Sequence, residues 1–300
     1  MATNILNLPA EEYMLSGNRA CAGCGLAIAF RHILKALDGR AILTIPASCL
    51  TVLGGMYPVS SVRVPWMNST FPSTAATASG IVAGLKALGR TDITVVAMAG
   101  DGGTVDIGIQ ALSGAAERNT DLLYICYDNE AYMNTGTQRS SATPKGVKTA
   151  TTPILGKREH SKDMPRIMEA HNIPYIATAS PSYPADLYDK VHKARDMKGT
   201  RYIHVYTPCS PGWTFPAKNT VKVGKAAVDT GAVVLYEIER GQFRLTGHSA
   251  TLAKRGALKP LTDYLSLQGR FKGLAQSQAE ELQEAVTRRW NGFLERAAKE

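Results

Sequence analysis

Short apolar runs and amphipathic runs alternate over the first two-thirds of the chain. Apolar stretches rich in β-branched residues predict strands at residues 41–46, 92–99, 121–127, 173–179 and 201–206. Runs with apolar residues on one face predict helices between them, at residues 74–88, 106–118, 161–171 and 184–197. Strands separated by helices are joined by right-handed crossovers in a mostly parallel sheet. The pattern therefore predicts an α/β fold with a doubly wound sheet.

Two segments break this alternation. Residues 129–157 are polar, rich in Thr, Ser, Gly and Pro, and without periodicity, and a loop of that length is more often functional than incidental. Beyond Cys209 we predict a hairpin from residues 232–239 and 242–245, and a helix that a Ser277–Glu280 capping box opens and that runs to about residue 294. We divide the chain into a domain of residues 1–210 and an extension of residues 211–300 that wraps the core or a partner.

Composition narrows the class of protein. With 44% hydrophobic and 20% charged residues, the chain is neither disordered nor fibrous. It lacks the ~20 consecutive apolar residues of a membrane span, and its first residues do not form a secretory signal, so we expect a cytoplasmic protein. The net charge of +9 is scattered, without a basic helix interleaved with aromatic residues, and does not indicate nucleic-acid binding.

An acidic–glycine motif follows the second predicted strand. Gly100-Asp101-Gly102-Gly103 alone is typical of a turn, but Asn129 follows the next strand, with 26 residues between it and Gly102. One crossover has about this length, so Asp101 and Asn129 are expected side by side at the carboxyl edge of the sheet, where ligands bind. A carboxylate and an amide carbonyl are ligands for Mg²⁺ on a diphosphate, and a helix beginning near Thr104 would favour the phosphate.

The five cysteines indicate a second site. Their odd number argues against a disulfide framework. Cys126 lies in an apolar run and is expected to be buried. Four remain: Cys21 and Cys24 form a C-x-x-C pair, and Cys49 and Cys209 each follow a predicted strand. Four thiolates suit a [4Fe–4S] cluster or a zinc ion, and their number does not decide between the two.

The motifs together carry a family resemblance. The Gly-Asp-Gly with its distant Asn129 resembles the thiamine diphosphate motif, and residues 127–144 (YDNEAYMNTGTQRSSATP) resemble the β subunit of 2-oxoacid:ferredoxin oxidoreductases, particularly the pyruvate type. Strings typical of these subunits recur at residues 230–231, 235–237 and 264–271, so that the similarity covers about residues 16–290. It implies the fold of the diphosphate-binding (PP) domain of thiamine enzymes.

The resemblance also implies roles for individual residues. Asp101, Asn129 and the Ala131 carbonyl would hold Mg²⁺, and Cys21, Cys24, Cys49 and Cys209 would hold a proximal [4Fe–4S] cluster. The residues that would contact thiamine diphosphate are Gly100, Asp101, Gly102, Gly103, Asn129, Asn134, Thr135, Gly136 and Cys49. The glutamate that protonates the aminopyrimidine belongs to another subunit in this family. The chain alone is therefore expected to be inactive.

The implied reaction is decarboxylation of a 2-oxoacid on thiamine diphosphate, with electrons passed singly through the cluster to ferredoxin. Coenzyme A takes the acyl group in the pyruvate case. Expected partners are a pyrimidine-domain α subunit, a γ subunit and a ferredoxin-like δ subunit, or their fusions. Ala47-Ser48 replaces the Thr-Gly of the commonest pyruvate-type pattern before Cys49, close to the substrate-side candidate Asn68. Pyruvate is thus the first expectation, with oxalate or another 2-oxoacid open.

Two other functions fit parts of the pattern. The first is a non-redox thiamine-dependent decarboxylase or synthase subunit with a structural zinc, which iron analysis separates from the redox enzyme. The second is a non-catalytic iron–sulfur electron carrier. Thiamine diphosphate binding that depends on Asp101 would exclude the carrier.

Overall fold

A single eight-stranded sheet forms the centre of the computed structural model, which describes residues 3–55 and 58–299. The strands are β1 (Ala41–Pro46), β2 (Trp66–Ser69), β3 (Thr94–Gly100), β4 (Leu123–Asp128), β5 (Tyr175–Ala179), β6 (Arg201–Tyr206), β7 (Tyr236–Glu239) and β8 (Gln242–Leu245). Their order is β2-β1-β3-β4-β6-β5-β7-β8. The first six strands are parallel, and β7 and β8 extend the sheet in antiparallel pairing.

Helices cover both faces of this sheet. They are α1 (Gly25–Leu37), α2 (Cys49–Gly54), α3 (Thr74–Ala87), α4 (Ile109–Glu117), α5 (Met164–Glu169), α6 (Pro184–Asp196), α7 (Thr220–Asp229), α8 (Gly247–Arg255), α9 (Thr262–Leu265) and α10 (Gln276–Lys299). Within residues 3–55 and 58–299, none combines the length and apolar character that crossing a membrane requires.

The central strands are apolar throughout because each face packs against a different helix layer. Val96 and Met98 of β3 join the core beneath α1 and α6, whereas Val95 and Ala97 join the core beneath α3 and α4. The six parallel strands and these two layers confirm the predicted doubly wound α/β class.

The last ninety residues contribute most of a third core and complete the sheet. Trp213, Val223, Tyr264 and Phe271 pack together in that core. The predicted hairpin is confirmed as β7 and β8, and its turn at Arg240 and Gly241 has φ of 50° and 84°. Two successive positive φ values suit the twist of a two-residue hairpin.

Several predicted boundaries differ from the structure. The strands at residues 41–46 and 201–206 agree, but the helix predicted from residue 106 begins at Ile109. The capping box at Ser277 is wrong, because Ser277 lies inside α10 and the Gln278 side chain accepts from the Ala275 backbone instead. Periodicity does not predict α2 or β2, which are too short, at six and four residues, to show a period.

Candidate active site

Asp101 and Asn129 meet at the carboxyl ends of two neighbouring strands. Gly100 at the end of β3 pairs with Tyr127 of β4, so the residues that follow leave the sheet together. The terminal amide group of Asn129 lies 3.1 Å from Asp101 Oδ1 and 2.9 Å from the Ala131 carbonyl oxygen, and in the orientation that satisfies both acceptors its nitrogen donates to them. The structure therefore brings together the three groups that the family resemblance implies as magnesium ligands.

The spacing of these three groups can be compared with the ligand spacing of a bound Mg²⁺ ion. With the Asn129 amide turned so that its oxygen faces the same two acceptors, the three oxygens would repel one another unless a cation lay among them. Adjacent oxygen ligands of an octahedral Mg²⁺, with bonds of roughly 2.0–2.1 Å, are about 3 Å apart. The donor set is hard oxygen, which Mg²⁺ prefers. These residues fit a magnesium ion.

Asp101 is almost completely buried, at 1% exposure. Burial raises its pKa well above the ordinary value, nearby Asp128 adds to that shift, and the Ser140 hydroxyl opposes it by donating to Asp101 Oδ2 at 2.5 Å. A carboxylate in such a place is stabilised most by a cation. Ser140 is a site residue that the sequence analysis does not single out, although it lies within the family-like stretch of residues 127–144.

Gly102 of the glycine motif is required by the packing of the Tyr132 ring, in addition to leaving room for a ligand. A Cβ at Gly102 would lie 2.6 Å from the Tyr132 ring, so a larger residue could not occupy this position. Residues Gly102–Asp106 form a π-helical turn in which the Ile107 N–H donates to the Gly102 carbonyl at 3.3 Å. Such turns are frequent at functional sites. The helix start predicted near Thr104 is thus this wide turn, and α4 follows it.

Cys21, Cys24, Cys49 and Cys209 line one cavity of about 270 Å³. Asn129 and Asn134 line the same cavity, so the thiols face the cofactor motif. In the part of the chain that the structure describes, no three His, Cys, Asp or Glu side chains lie close enough to hold one metal ion. Cys126 is fully buried in β4, as predicted.

The surroundings of Cys49 and Cys209 favour their uncharged thiols by raising the pKa of each. Burial, reinforced by the neighbouring thiols, raises the pKa of Cys49 to about 12. Burial likewise raises the pKa of Cys209 to about 11. Thiolate ligands become available only when a metal centre displaces their protons, which couples metal loading to proton release.

The C-x-x-C loop is fastened to the chain that follows β6. The Ser210 hydroxyl donates to the Ala22 carbonyl at 2.7 Å, and the Thr220 hydroxyl donates to the Gly23 carbonyl at 2.6 Å. Gly23 has φ of 68°, and a Cβ there would lie 2.4 Å from the Ala217 carbonyl oxygen. Residues 208–220 therefore fix the position of the first two cysteines.

The other predicted site residues lie at the edge of this region. Asn134 belongs to the cavity lining, while Thr135 and Gly136 are exposed at the tip of the loop beside it. Asn68 is exposed on β2, and its side-chain oxygen accepts from the Thr51 hydroxyl at 3.0 Å. Because Thr51 is on the helix that Cys49 begins, Asn68 is linked to the cysteine-lined cavity.

A larger cleft of about 980 Å³ lies elsewhere, beside α6, and contains none of the predicted site residues. Its buried Lys190 donates to the Thr178 carbonyl, Asp186 and the Thr246 hydroxyl. Its Lys193 and Arg244 both pair with Glu237. Since these charges satisfy one another, we place the functional site at the cysteine-lined cavity.

Comparison with known proteins identifies the domain. Residues 47–205 match the family described as "Thiamine pyrophosphate enzyme, C-terminal TPP binding domain". A solved structure of 2-oxoglutarate:ferredoxin oxidoreductase from Magnetococcus marinus, with 2-oxoglutarate, coenzyme A and succinyl-CoA bound, shares the fold, with a TM-score of 0.57 at 22% identity over 66% of each chain. Fold and site together define a thiamine-diphosphate-binding domain.

Similarity to curated relatives is much higher and spans nearly the whole chain. The chain is 47% identical to pyruvate synthase subunit PorB of Methanothermobacter thermautotrophicus, covering 94% of this chain and 97% of that one. It is 44% identical to ketoisovalerate oxidoreductase subunit VorB of Pyrococcus abyssi, covering 95% and 93% respectively. The chain belongs to the PorB/VorB family of β subunits of thiamine-diphosphate-dependent 2-oxoacid:ferredoxin oxidoreductases.

Proposed function

We propose that this chain holds magnesium and the diphosphate of its cofactor on one side of the cysteine-lined cavity and a [4Fe–4S] cluster on the other. Asp101, Asn129 and the Ala131 carbonyl are the proposed magnesium ligands. The observation that carries the proposal is that all four candidate cysteines share a cavity with Asn129 and Asn134. When bound, thiamine diphosphate supplies carbanion stabilisation and an iron–sulfur cluster supplies one-electron acceptance.

The chain's own residues orient the cofactor and exclude water. Asp101 and Asn129 are fixed by the ends of β3 and β4, so they set the position of the diphosphate end. Asn134, Thr135 and Gly136 are proposed to border the diphosphate, together with Gly100, Gly102 and Gly103. Apolar residues Leu26, Leu53 and Met133 complete the cavity lining. They lower the local polarity, which strengthens each electrostatic contact made there.

For the substrate we propose pyruvate, with coenzyme A as the acyl acceptor. The support is the 47% identity to a relative described as a pyruvate synthase subunit. A branched 2-oxoacid is the alternative that the 44% identity to a ketoisovalerate oxidoreductase subunit favours. The Ala47-Ser48 departure beside Cys49, together with exposed Asn68, is where we expect this selectivity to be set.

A substrate panel tests this proposal directly. The complex purified anaerobically with its partner subunits would be given pyruvate, 2-oxobutyrate, 2-oxoisovalerate, 2-oxoglutarate or oxalate, with a viologen as electron acceptor. We expect the largest kcat/KM for pyruvate and dependence on coenzyme A. A preference for 2-oxoisovalerate would assign the branched-chain activity, and reduction by oxalate without coenzyme A would overturn the acyl-transfer step.

A structural zinc ion held by the same four cysteines is the alternative to the cluster. Iron analysis and the visible spectrum of anaerobically purified protein test the choice. Iron with broad visible absorption is expected, and stoichiometric zinc with a featureless visible spectrum would contradict the cluster.

We further propose that the chain works in a cytoplasmic complex with a pyrimidine-domain subunit, γ and ferredoxin-like δ partners, and ferredoxin. Residues 1–210 would form the cofactor domain and residues 211–300 its extension. The support for this division is that Trp213, Tyr264 and Phe271 of the extension pack in a third core, to which Val147 and Tyr206 of the first part also contribute.

A further inference from the structure

Three consecutive residues form the turn that shapes the proposed magnesium site. The Asn129 side-chain amide and the Ala131 carbonyl oxygen face this site, and Glu130 between them has φ of 63°, in the left-handed region. A glutamate adopts that conformation only at a cost, so neighbouring groups must hold it. The Glu130 N–H donates to Asp128 Oδ1 at 2.8 Å, and the Thr143 hydroxyl donates to the Glu130 carbonyl at 2.6 Å.

Two residues from the C-terminal part of the chain, Trp213 and Arg270, bind to the same turn. Trp213 is 1% exposed, and its indole N–H donates to the Asn129 backbone carbonyl at 2.9 Å. The Arg270 guanidinium lies 3.8 Å from the Trp213 ring centroid and pairs with the Glu130 carboxylate at 2.5 Å. Arg270 is buried and the Glu130 side chain is only 12% exposed, so the pair is largely shielded from solvent.

We propose that Trp213 and Arg270 are positioning residues for the magnesium site, and that they act by holding the Asn129-Glu130-Ala131 turn in its convergent conformation. Trp213 fixes the Asn129 backbone, while Arg270 fixes both the indole and the Glu130 side chain. The inference rests on the proposed function, because it concerns the magnesium ligands named there. It gives the extension a role in cofactor binding although neither side chain is a proposed ligand.

The decisive variant is Trp213→Phe, which keeps an aromatic ring in the core and removes the indole N–H. The holo complex would be stripped of metal and thiamine diphosphate, and Mn²⁺ affinity would be measured by electron paramagnetic resonance, with thiamine diphosphate affinity measured by calorimetry. Loss of one hydrogen bond predicts binding weaker by roughly 2- to 10-fold. Trp290→Phe, in the buried face of α10, is the matched control and should bind like wild type.

Arg270→Lys is a second variant, which leaves the indole in place. It keeps the charge but loses the planar stacking and the forked donor geometry, so Mn²⁺ affinity should fall in the same direction. Iron content should stay unchanged in both variants. Wild-type Mn²⁺ affinity in both would overturn the inference.

A parallel loss of iron would also overturn it, because the Trp213 backbone N–H bonds to the Cys209 carbonyl and the residue would then act on the cluster side. Failure of the wild-type complex to bind Mn²⁺ and thiamine diphosphate would instead overturn the proposed function, and this inference with it.

Discussion

Asp101 is a buried carboxylate that shares its surroundings with a second carboxylate, Asp128. Such a group destabilises the chain without a cation and binds a cation strongly when one is present. The buried Asp101 charge therefore lowers the stability of the chain without a cation and raises the stability of the chain with a bound cation.

We predict that Asp101→Asn abolishes Mg²⁺-dependent binding of thiamine diphosphate and leaves the melting temperature of the cofactor-free chain equal or higher. The amide keeps the shape of the side chain but removes the buried charge. Calorimetric titration and thermal unfolding measure the two effects. Asp92→Asn, at an exposed aspartate paired with Arg90, is the control and should bind normally. Retained cofactor affinity in Asp101→Asn would assign magnesium binding to other residues.

Replacement by alanine should distinguish the four proposed ligand cysteines from the buried Cys126. Cys49→Ala is expected to remove most of the iron and the visible absorption, because it deletes one of four proposed ligands. Cys126→Ala removes a thiol from the β4 core and should keep the iron, at some cost in stability. Metal analysis of the two variants gives the answer, and equal iron loss in both would mean that the four-cysteine assignment is wrong.

At the scale of elements, the C-x-x-C loop depends on close contact with the segment after β6. Gly23→Ala is predicted to reduce iron incorporation and stability, since its Cβ would meet the Ala217 backbone at 2.4 Å. Gly89 has the same φ of 68° with nothing within 4 Å of its Cβ position. Gly89→Ala therefore carries the same backbone penalty of about 1–2 kcal/mol without the clash. Comparable iron content in the two variants would rule out the docking contact as the cause.

The long loop after β4 is anchored by a buried lysine. Lys157 Nζ donates to the Ser141 carbonyl at 2.9 Å and to the Thr143 carbonyl at 2.6 Å, next to the serine that contacts Asp101. Burial lowers the pKa of Lys157 from 10.5 to about 8. Between these pH values the unfolded chain holds one more proton than the folded chain, so this group's contribution makes the free energy of unfolding rise with pH.

We predict, accordingly, that wild type gains stability relative to Lys157→Met as the pH rises from 7 to 9.5. Urea unfolding of the cofactor-free chains at both pH values measures the difference. A difference that stays constant or shrinks would show that the lysine is not held in its buried position.

Sequence patterns predict the elements that are long or periodic and the ligands that lie within one crossover. The β3–β4 unit brings Asp101 and Asn129 together because neighbouring parallel strands end at one edge, and this follows from spacing alone. The contacts of Trp213 and Arg270 with residues 129 and 130 span about 80 and 140 positions, so no local pattern contains them. Hydrophobic periodicity does not predict the contact of Ser140 either, because the loop that contains Ser140 has no periodic pattern.

At the scale of the whole molecule, the proposed function gives this chain the diphosphate and cluster side of a reaction centre. The family resemblance assigns the glutamate for the aminopyrimidine to another subunit. We predict that the purified chain, reconstituted with iron, sulfide, Mg²⁺ and thiamine diphosphate, binds its cofactors but does not reduce viologen with any 2-oxoacid. Addition of the partner subunits should restore activity. Turnover by the chain alone would contradict the assignment of that glutamate to a partner.

The most direct test of the account is the electron paramagnetic resonance spectrum of the anaerobically purified complex before and after a 2-oxoacid substrate is added. We predict a reduced [4Fe–4S] signal that appears only with substrate and thiamine diphosphate. The signal should be lost in both Cys49→Ala and Asp101→Asn. The first variant should lack iron, whereas the second should keep its iron but fail to bind thiamine diphosphate. A complex with full activity and no iron, or a substrate-dependent signal that survives Cys49→Ala unchanged, would contradict the account.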